Sequence, residues 1–411
     1  MTRTVFAGGM VFDGTGAPPA RADVLVEGDR ILDVGIGLDG DESVDCTGTV
    51  LLPGLFDCHV HVAFSGPVGS ITDRVQKPFS YQFYEAAQNL RRTLELGITT
   101  ARDAGGADLG IKRAVQDGLI PGPRLQISVA AISQTGGHGD GWMPSSHCLP
   151  LFVEHPGRPA TIADGNDEVR KISRQLLRAG AEVLKVCATG GVLSPADDPR
   201  HSQFTEEELR VIVTEAAMQG RYVMAHAQGT EGIKNALRAG VRSIEHGIYL
   251  DDEAIELMLA KDAWLVPTLI APVAVLRQIE AGTDMPEFIV RKVNEVAAAH
   301  VESMRRAVDA GVRIAMGTDS GVGAHGTNLE ELPLMEATGM TPSQVLAATT
   351  SSAAELLGYG DALGKLAPGY RADVVVVDGD PLGQLSELPK LVREVWQDGR
   401  RVSTPQQASV A

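Results

Sequence analysis

An apolar run, Val50-Leu51-Leu52-Pro53-Gly54-Leu55-Phe56-Asp57-Cys58-His59-Val60-His61, closes on two histidines one residue apart. Side chains alternate faces along a strand, so His59 and His61 point the same way. Imidazole is the commonest metal-ligating side chain, and a His-x-His pair leaving a buried strand offers two nitrogens to one ion. Alone, the pattern fits equally well two half-buried histidines that hydrogen-bond locally. Other residues tip the balance. Lys185 sits inside Val183-Leu184-Lys185-Val186-Cys187-Ala188, an apolar run in which a lysine is costly unless paired. His226 ends Met224-Ala225-His226, His246 lies in Ile244-Glu245-His246-Gly247, and Asp319 lies in Gly317-Thr318-Asp319-Ser320. Four histidines, one buried lysine and one aspartate at the ends of strand-like segments form a set that chance rarely makes.

Such a set needs a scaffold that brings several strand ends to one rim. Candidate strands cover 54–61, 97–103, 124–132, 182–188, 222–227, 242–245, 263–269 and 313–318. Helical patterns lie between them. Residues 167–179 are apolar at Val169, Ile172, Leu176 and Leu177, close to a period of 3.6. Thr205-Glu206-Glu207-Glu208 is a capping box opening a helix toward Ala217. Residues 230–239 and 286–310 continue the alternation, with Pro286 expected at a first helical position. Eight strand–helix units over roughly 300 residues predict a (β/α)8 TIM-like barrel, whose chemistry sits at the C-terminal ends of its strands. The alternative is a doubly wound open sheet, disfavoured because no Gly-x-Gly-x-x-Gly follows any of these strands. Residues 1 to about 52 and the C-terminal stretch are rich in short strands and turns, including a hairpin around Asp398-Gly399. The expected organisation is therefore α/β, with a barrel over 54–362 and a small β-sandwich domain built from 1–53 and 363–411.

The chain has 411 residues, with 36 Lys and Arg against 53 Asp and Glu, a net charge of −17. That balance argues against nucleic-acid and anionic-membrane partners. The four cysteines, Cys46, Cys58, Cys148 and Cys187, include no Cys-x-x-Cys pair, which disfavours a thiolate zinc site or redox dithiol. A reducing compartment fits. The N-terminus lacks a signal-peptide pattern and no apolar stretch approaches 18 residues. The expectation is a cytoplasmic homo-oligomer acting on a small molecule, with no nucleic-acid or membrane partner.

With these segments in view, the chain resembles the amidohydrolase superfamily of metal-dependent hydrolases, closest to its branch of imidazolonepropionase-like proteins and prolidase-like dipeptidases. The likeness runs over nearly the whole chain, through Pro53 to His61, Thr100-Ala101-Arg102-Asp103-Ala104-Gly105-Gly106, the Lys185 strand with Thr189-Gly190-Gly191-Val192, Ile244 to Gly247, Gly317 to Gly321, and Gly364 to Asp373. The resemblance implies two divalent metal ions, zinc foremost. His59, His61 and Asp319 would hold one ion, and His226 and His246 the other. Lys185, carboxylated on its amine, would bridge them; a protonated lysine cannot bind metal, whereas a carbamate can. It further implies hydrolysis by a metal-activated hydroxide, with Asp319 as proton shuttle and His138, in Gly136-Gly137-His138-Gly139-Asp140, holding the oxyanion. Read without the resemblance, Lys185 could be an ion-pair partner, Asp319 a helix cap, and His138 a loop histidine packed on Trp142.

Substrate signals are thinner. Prolidase-like members usually carry Ala-Tyr or Ala-His after the histidine of the fifth strand, whereas this chain reads His226-Ala227-Gln228. Gln228 is expected to line the substrate pocket, with only an uncharged amide to offer, and Arg200 or His201 is a candidate to meet a carboxylate. The favoured function is hydrolysis of the amide bond of dipeptides or N-acyl amino acids. Hydrolysis of a cyclic amide or carbamate is the alternative, and a non-catalytic scaffold the third reading.

Overall fold

The computed structural model describes residues 2–66, 76–143 and 145–403. Among the described residues, nine parallel strands carry the middle of the chain: β1 (Leu55–Val60), β2 (Ile98–Asp103), β3 (Arg124–Ile127), β4 (Ala131–Ile132), β5 (Val183–Cys187), β6 (Tyr222–Ala227), β7 (Ser243–His246), β8 (Trp264–Val266) and β9 (Arg313–Ile314). They form two sheets, β3-β2-β1 and β4-β5-β6-β7-β8-β9. β1, β2, β5 and β7 are buried along their whole length, as parallel strands covered on both faces must be.

The single strand expected over 124–132 is two strands. Val129 takes a left-handed φ of +69° and breaks the run between Ile127 and Ala131. The last strand is also shorter than expected, two residues rather than six. Backbone hydrogen bonds nonetheless cross both seams. Glu182 N donates to Ile127 O at 2.8 Å, Cys58 N to Met316 O at 2.9 Å, and Asp319 N to His59 O at 2.7 Å.

Helices alternate with these strands: α1 (Tyr81–Glu95), α2 (Leu109–Gln116), α3 (Gly165–Arg178), α4 (Glu206–Met218), α5 (Thr230–Ala239), α6 (Asp252–Ala260), α7 (Ile270–Glu280) and α8 (Glu287–Ala310). α3 buries Val169, Ile172 and Leu176 on one stripe. Both halves of the Thr205–Glu208 capping box are made. Pro286 is the cap of α8 rather than its first residue, because its ψ of 138° is extended.

The termini add two further sheets. One is four-stranded and N-terminal: Arg30–Gly35, Asp23–Glu27, Arg3–Ala7 and Glu42–Asp45. The other mixes both ends of the chain: Arg400–Ser403, Val392–Gln397, Val374–Asp378, Thr49–Pro53, Met10–Val11 and Ala20–Arg21. Phe6, Val24, Val26 and Ile31 of the first share an apolar cluster with Val11, Leu51, Val374 and Val376 of the second. Asp398 and Gly399 turn the last hairpin with φ of +52° and +71°, the geometry of a type I′ turn. Arg124 of β3 ties this region to the parallel sheets through Asp373 at 3.1 Å and Asp398 at 2.8 Å. Residues 404–411 of the expected second segment lie outside the described residues. No described helix is long and apolar enough to cross a membrane.

Candidate active site

The two histidines of β1 meet Asp319 at one point. Asp319 Oδ1 lies 3.4 Å from His59 Nε2 and 3.2 Å from His61 Nε2, and the three groups present ligand atoms within 4.8 Å of one another. His246 packs beside His59 at 5.2 Å between ring centroids, and His226 beside His246 at 4.6 Å. All four histidines, Asp319 and Lys185 line one cavity of about 800 Å³.

Each imidazole is fixed by the nitrogen that faces away from this point. His61 Nδ1 donates to Gly105 O at 2.8 Å, and His226 Nε2 donates to Gly190 O at 3.0 Å. His59 Nδ1 meets Glu245 Oε2 at 2.8 Å, and His246 Nδ1 meets Thr268 Oγ1 at 2.7 Å. Bonds of this kind set ring orientation and tautomer in metal-binding histidines. Burial, reinforced by the neighbouring histidines and Lys185, pushes His226 and His246 well below the ordinary histidine pKa. They are neutral, the form that ligates metal.

Strand register explains which side chains look into the cavity. Cys187 pairs with His226, and His226 pairs with Glu245. Residues paired across parallel strands share a face, so Lys185, Cys187, His226 and Glu245 lie on one face; the first three line the cavity, and Glu245 sits behind it against His59 and Arg102. His246, one residue beyond Glu245, would face outward in a regular strand. Its φ of +74° turns it back, and Asp319 is turned likewise by a φ of +58°. Left-handed backbone at residues other than glycine is uncommon and costs about 1–3 kcal/mol; here it delivers two of the converging groups.

Lys185 is 3% exposed, and its Nζ has no hydrogen-bond partner among the described residues. Burial lowers its pKa, against the pull of Glu245 and Asp319. A buried amine left orphaned beside four anchored imidazoles and a carboxylate fits a divalent-metal centre: the donors are nitrogen and oxygen, the histidines are neutral, and the amine lacks only a reason to be there.

Two residues that hold this arrangement were not singled out as site residues from the sequence. Arg102 and Glu245 are both 0% exposed. Arg102 Nη2 donates to Glu245 Oε1 at 2.9 Å, Ser243 Oγ donates to the same oxygen at 2.5 Å, and Arg102 Nε donates to Cys58 O at 2.6 Å. Burial works against the Glu245 charge, but Arg102 and the His59 bond hold its pKa down at about 2. Glu245 shares a register position with His226, a signal that appears only once the two strands are aligned.

His138 stacks on His226 at 4.3 Å between centroids and 17° between planes, rather than on Trp142, which is half exposed. Its Nδ1 donates to Ser194 Oγ at 2.8 Å, because Ser194 gives its own proton to Asp197 at 2.5 Å. Gly191 is required beside it. A Cβ at 191 would lie 2.2 Å from His138 Cε1. Gln228 lines the cavity with a buried Oε1 that has no partner among the described residues. Arg200 does not line the cavity; it pairs with Glu295 at 3.0 Å and stacks on Tyr249 at the surface, and His201 is exposed.

Comparison with known proteins matches residues 50–402 to the amidohydrolase family model. The chain is 36% identical to an ochratoxinase of Aspergillus niger, covering 98% of this chain and 87% of the relative. A crystal structure of a Xaa-Pro dipeptidase with bound methionine superposes with a TM-score of 0.89 at 32% identity, over 97% of this chain and 99% of that one. A prolidase complexed with N-methylphosphonate-L-proline superposes with a TM-score of 0.89 at 35% identity, over 98% and 100%.

Proposed function

Because this chain belongs to the amidohydrolase family, in its prolidase-like branch, we propose that it is a binuclear metal-dependent hydrolase that cleaves the amide bond of N-acyl amino acids or dipeptides. The observation that carries this reading is the convergence of four anchored histidines, Asp319 and the orphaned Lys185 in one cavity. The two parallel sheets are then arcs of one (β/α)8 barrel over 54–362, bridged by the seam hydrogen bonds, and the terminal sheets form a β-sandwich from 1–53 and 363–411.

His59, His61 and Asp319 would hold one ion and His226 and His246 the other, with carboxylated Lys185 shared between them. Imidazole and carboxylate ligands suit zinc. When bound, the ions would supply Lewis acidity, making water nucleophilic near neutral pH and polarising the scissile carbonyl. The remaining work falls to the chain. Asp319 takes the proton of the attacking water and passes it to the leaving amine. With Nδ1–H committed to Ser194, neutral His138 offers an acceptor at Nε2. It donates to a carbonyl oxygen once protonated, a state that Asp197, 3.8 Å away, favours and burial opposes. Gln228 contributes an uncharged amide to the substrate pocket.

The test is a panel of N-acyl amino acids, dipeptides, cyclic imides and carbamates. Linear amides should be cleaved by metal-replete protein, lose cleavage after chelation and regain it when metal is returned. Exclusive turnover of cyclic imides or carbamates would move the assignment to that alternative. Protein purified without chelators and holding almost no metal would favour a scaffold.

Lys185 gives a second expectation. Lys185→Ala should bind metal at least about tenfold more weakly. Bicarbonate should speed recovery of the stripped wild-type protein when metal is added back, because the neutral amine must first add carbon dioxide and release a proton. Recovery at the same rate in carbon dioxide-free buffer would rule the carbamate out.

A further inference from the structure

Six lysines and arginines are buried among the described residues: Arg102, Lys112, Arg158, Lys185, Lys234 and Lys292. Four have carboxylate partners, namely Glu245, Glu182, Glu253 and Asp197 in turn. Lys185 and Arg158 have none among the described residues, and both line the cavity. The proposed function absorbs Lys185 and leaves Arg158 without a role.

Arg158 is 2% exposed, on the loop between β4 and α3. Its Nη1 donates to Val153 O at 3.1 Å and to Gln82 Oε1 at a long 3.4 Å, and its Nη2 donates to Gly106 O. Its Nε is buried with no hydrogen-bond partner among the described residues. Asp103 and Asp108 act on its charge from beyond ion-pair distance, and burial outweighs them and pushes the Arg158 pKa down, so the cation is only partly compensated. Its position is tied to the candidate metal centre. Gly105 O accepts from His61, and Gly106 O, one residue on, accepts from Arg158. Phe152, on the same loop, stacks on Phe64 at 5.6 Å and lies 6.0 Å from the His61 ring.

We propose that Arg158 anchors the free carboxylate of the substrate. This rests on the reading of the cavity as the site where N-acyl amino acids or dipeptides are cleaved, and names the group that selects them. The side-on edge of a guanidinium pairs Nε–H with the Nη2 hydrogen beside it; here Nε is unpartnered and Nη2 has a second hydrogen besides the one given to Gly106 O, so this edge matches a carboxylate. It also accounts for a chain whose Gln228 offers no charge and whose Arg200 faces solvent. Phe64 and Phe152 supply apolar walls beside the anchor, suited to a bulky side chain.

Calorimetry on metal-replete protein tests this with N-benzyl-L-phenylalanine and its carboxamide, in which a secondary amine replaces the scissile amide. The acid should bind about ten- to hundredfold more tightly than the carboxamide. Arg158→Gln should reduce that ratio to under about threefold while leaving carboxamide affinity near wild type, and Arg158→Lys should retain part of the preference because it keeps the charge without the fork. A wild-type protein that does not discriminate the pair overturns the proposal, as does an Arg158→Gln protein with an unchanged ratio. Equal weakening of both ligands, the mark of a purely structural arginine, also overturns it. Should Arg158→Gln fail to fold, the wild-type ratio and the Arg158→Lys ratio decide: a lysine variant that discriminates as fully as wild type counts against the fork. Hydrolysis of N-benzoyl-L-phenylalanine is scored separately. Charge-selective binding through Arg158 without any amide cleavage would refute the proposed function and leave the anchor standing.

Discussion

Asp319→Asn is expected to remain folded and lose about 10²–10⁴-fold in kcat/KM, or roughly 3–5 kcal/mol of transition-state stabilisation. The carboxylate sits between His59 Nε2 and His61 Nε2, so it is placed both to share an ion with them and to carry a proton. Burial works against its charge, but the two histidines hold its pKa well below the ordinary carboxylate range. An amide of the same shape can neither take up the proton nor supply the negative charge. Asparagine is the right substitution for a further reason. Residue 319 has a φ of +58°, which asparagine tolerates and most side chains do not. The loss is then chemical rather than conformational. Kinetics, metal content by elemental analysis and circular dichroism check it together. Near wild-type turnover would remove Asp319 from the mechanism.

Glu245→Gln should have the largest effect on stability. It leaves the Arg102 guanidinium, 0% exposed, without its counter-charge, which costs about 3–5 kcal/mol in a buried pair. It also replaces the acceptor that fixes His59, so metal affinity should fall about 10–100-fold. The two consequences separate in the double variant Arg102→Met/Glu245→Leu. Removing both charges should recover much of the stability, because apolar replacement of a buried ion pair is often neutral or better. It should not recover metal affinity, because His59 would still lack its acceptor. Denaturant unfolding and metal titration measure the two effects. A single variant as stable as wild type would show that water or rearrangement compensates Arg102, and restored metal affinity in the double variant would show that His59 needs no acceptor.

These residues also mark where the sequence was readable and where it was not. The limits of β6, at Tyr222 and Ala227, and of α5, at Thr230 and Ala239, follow directly from periodicity and turn residues. The six groups that converge in the cavity were legible because five end, or follow, an apolar run and Lys185 interrupts one. Glu245 was not legible as a site residue. Read along the chain it is the spacer in Ile-Glu-His-Gly, and only pairing with the neighbouring strand shows that it shares a face with His226. The inward turn of His246 depends on a backbone conformation that its residue type does not announce. Val129 misled for the same reason: a β-branched residue inside an apolar run signals continued strand, yet it breaks β3 from β4. Arg158 lies in a loop with no periodicity, so its burial and its missing partner emerge only in three dimensions.

Strand Thr49–Pro53 runs through Gly54 directly into β1, and on one side its neighbour is Val374–Asp378. During translation that neighbour emerges about 320 residues later, roughly half a minute at about 10 residues per second. For that interval the strand leading to His59 has one open edge, available to any other extended segment that reaches it. A nascent chain arrested just before Val374 would therefore carry every one of the proposed catalytic groups and still be prone to aggregation.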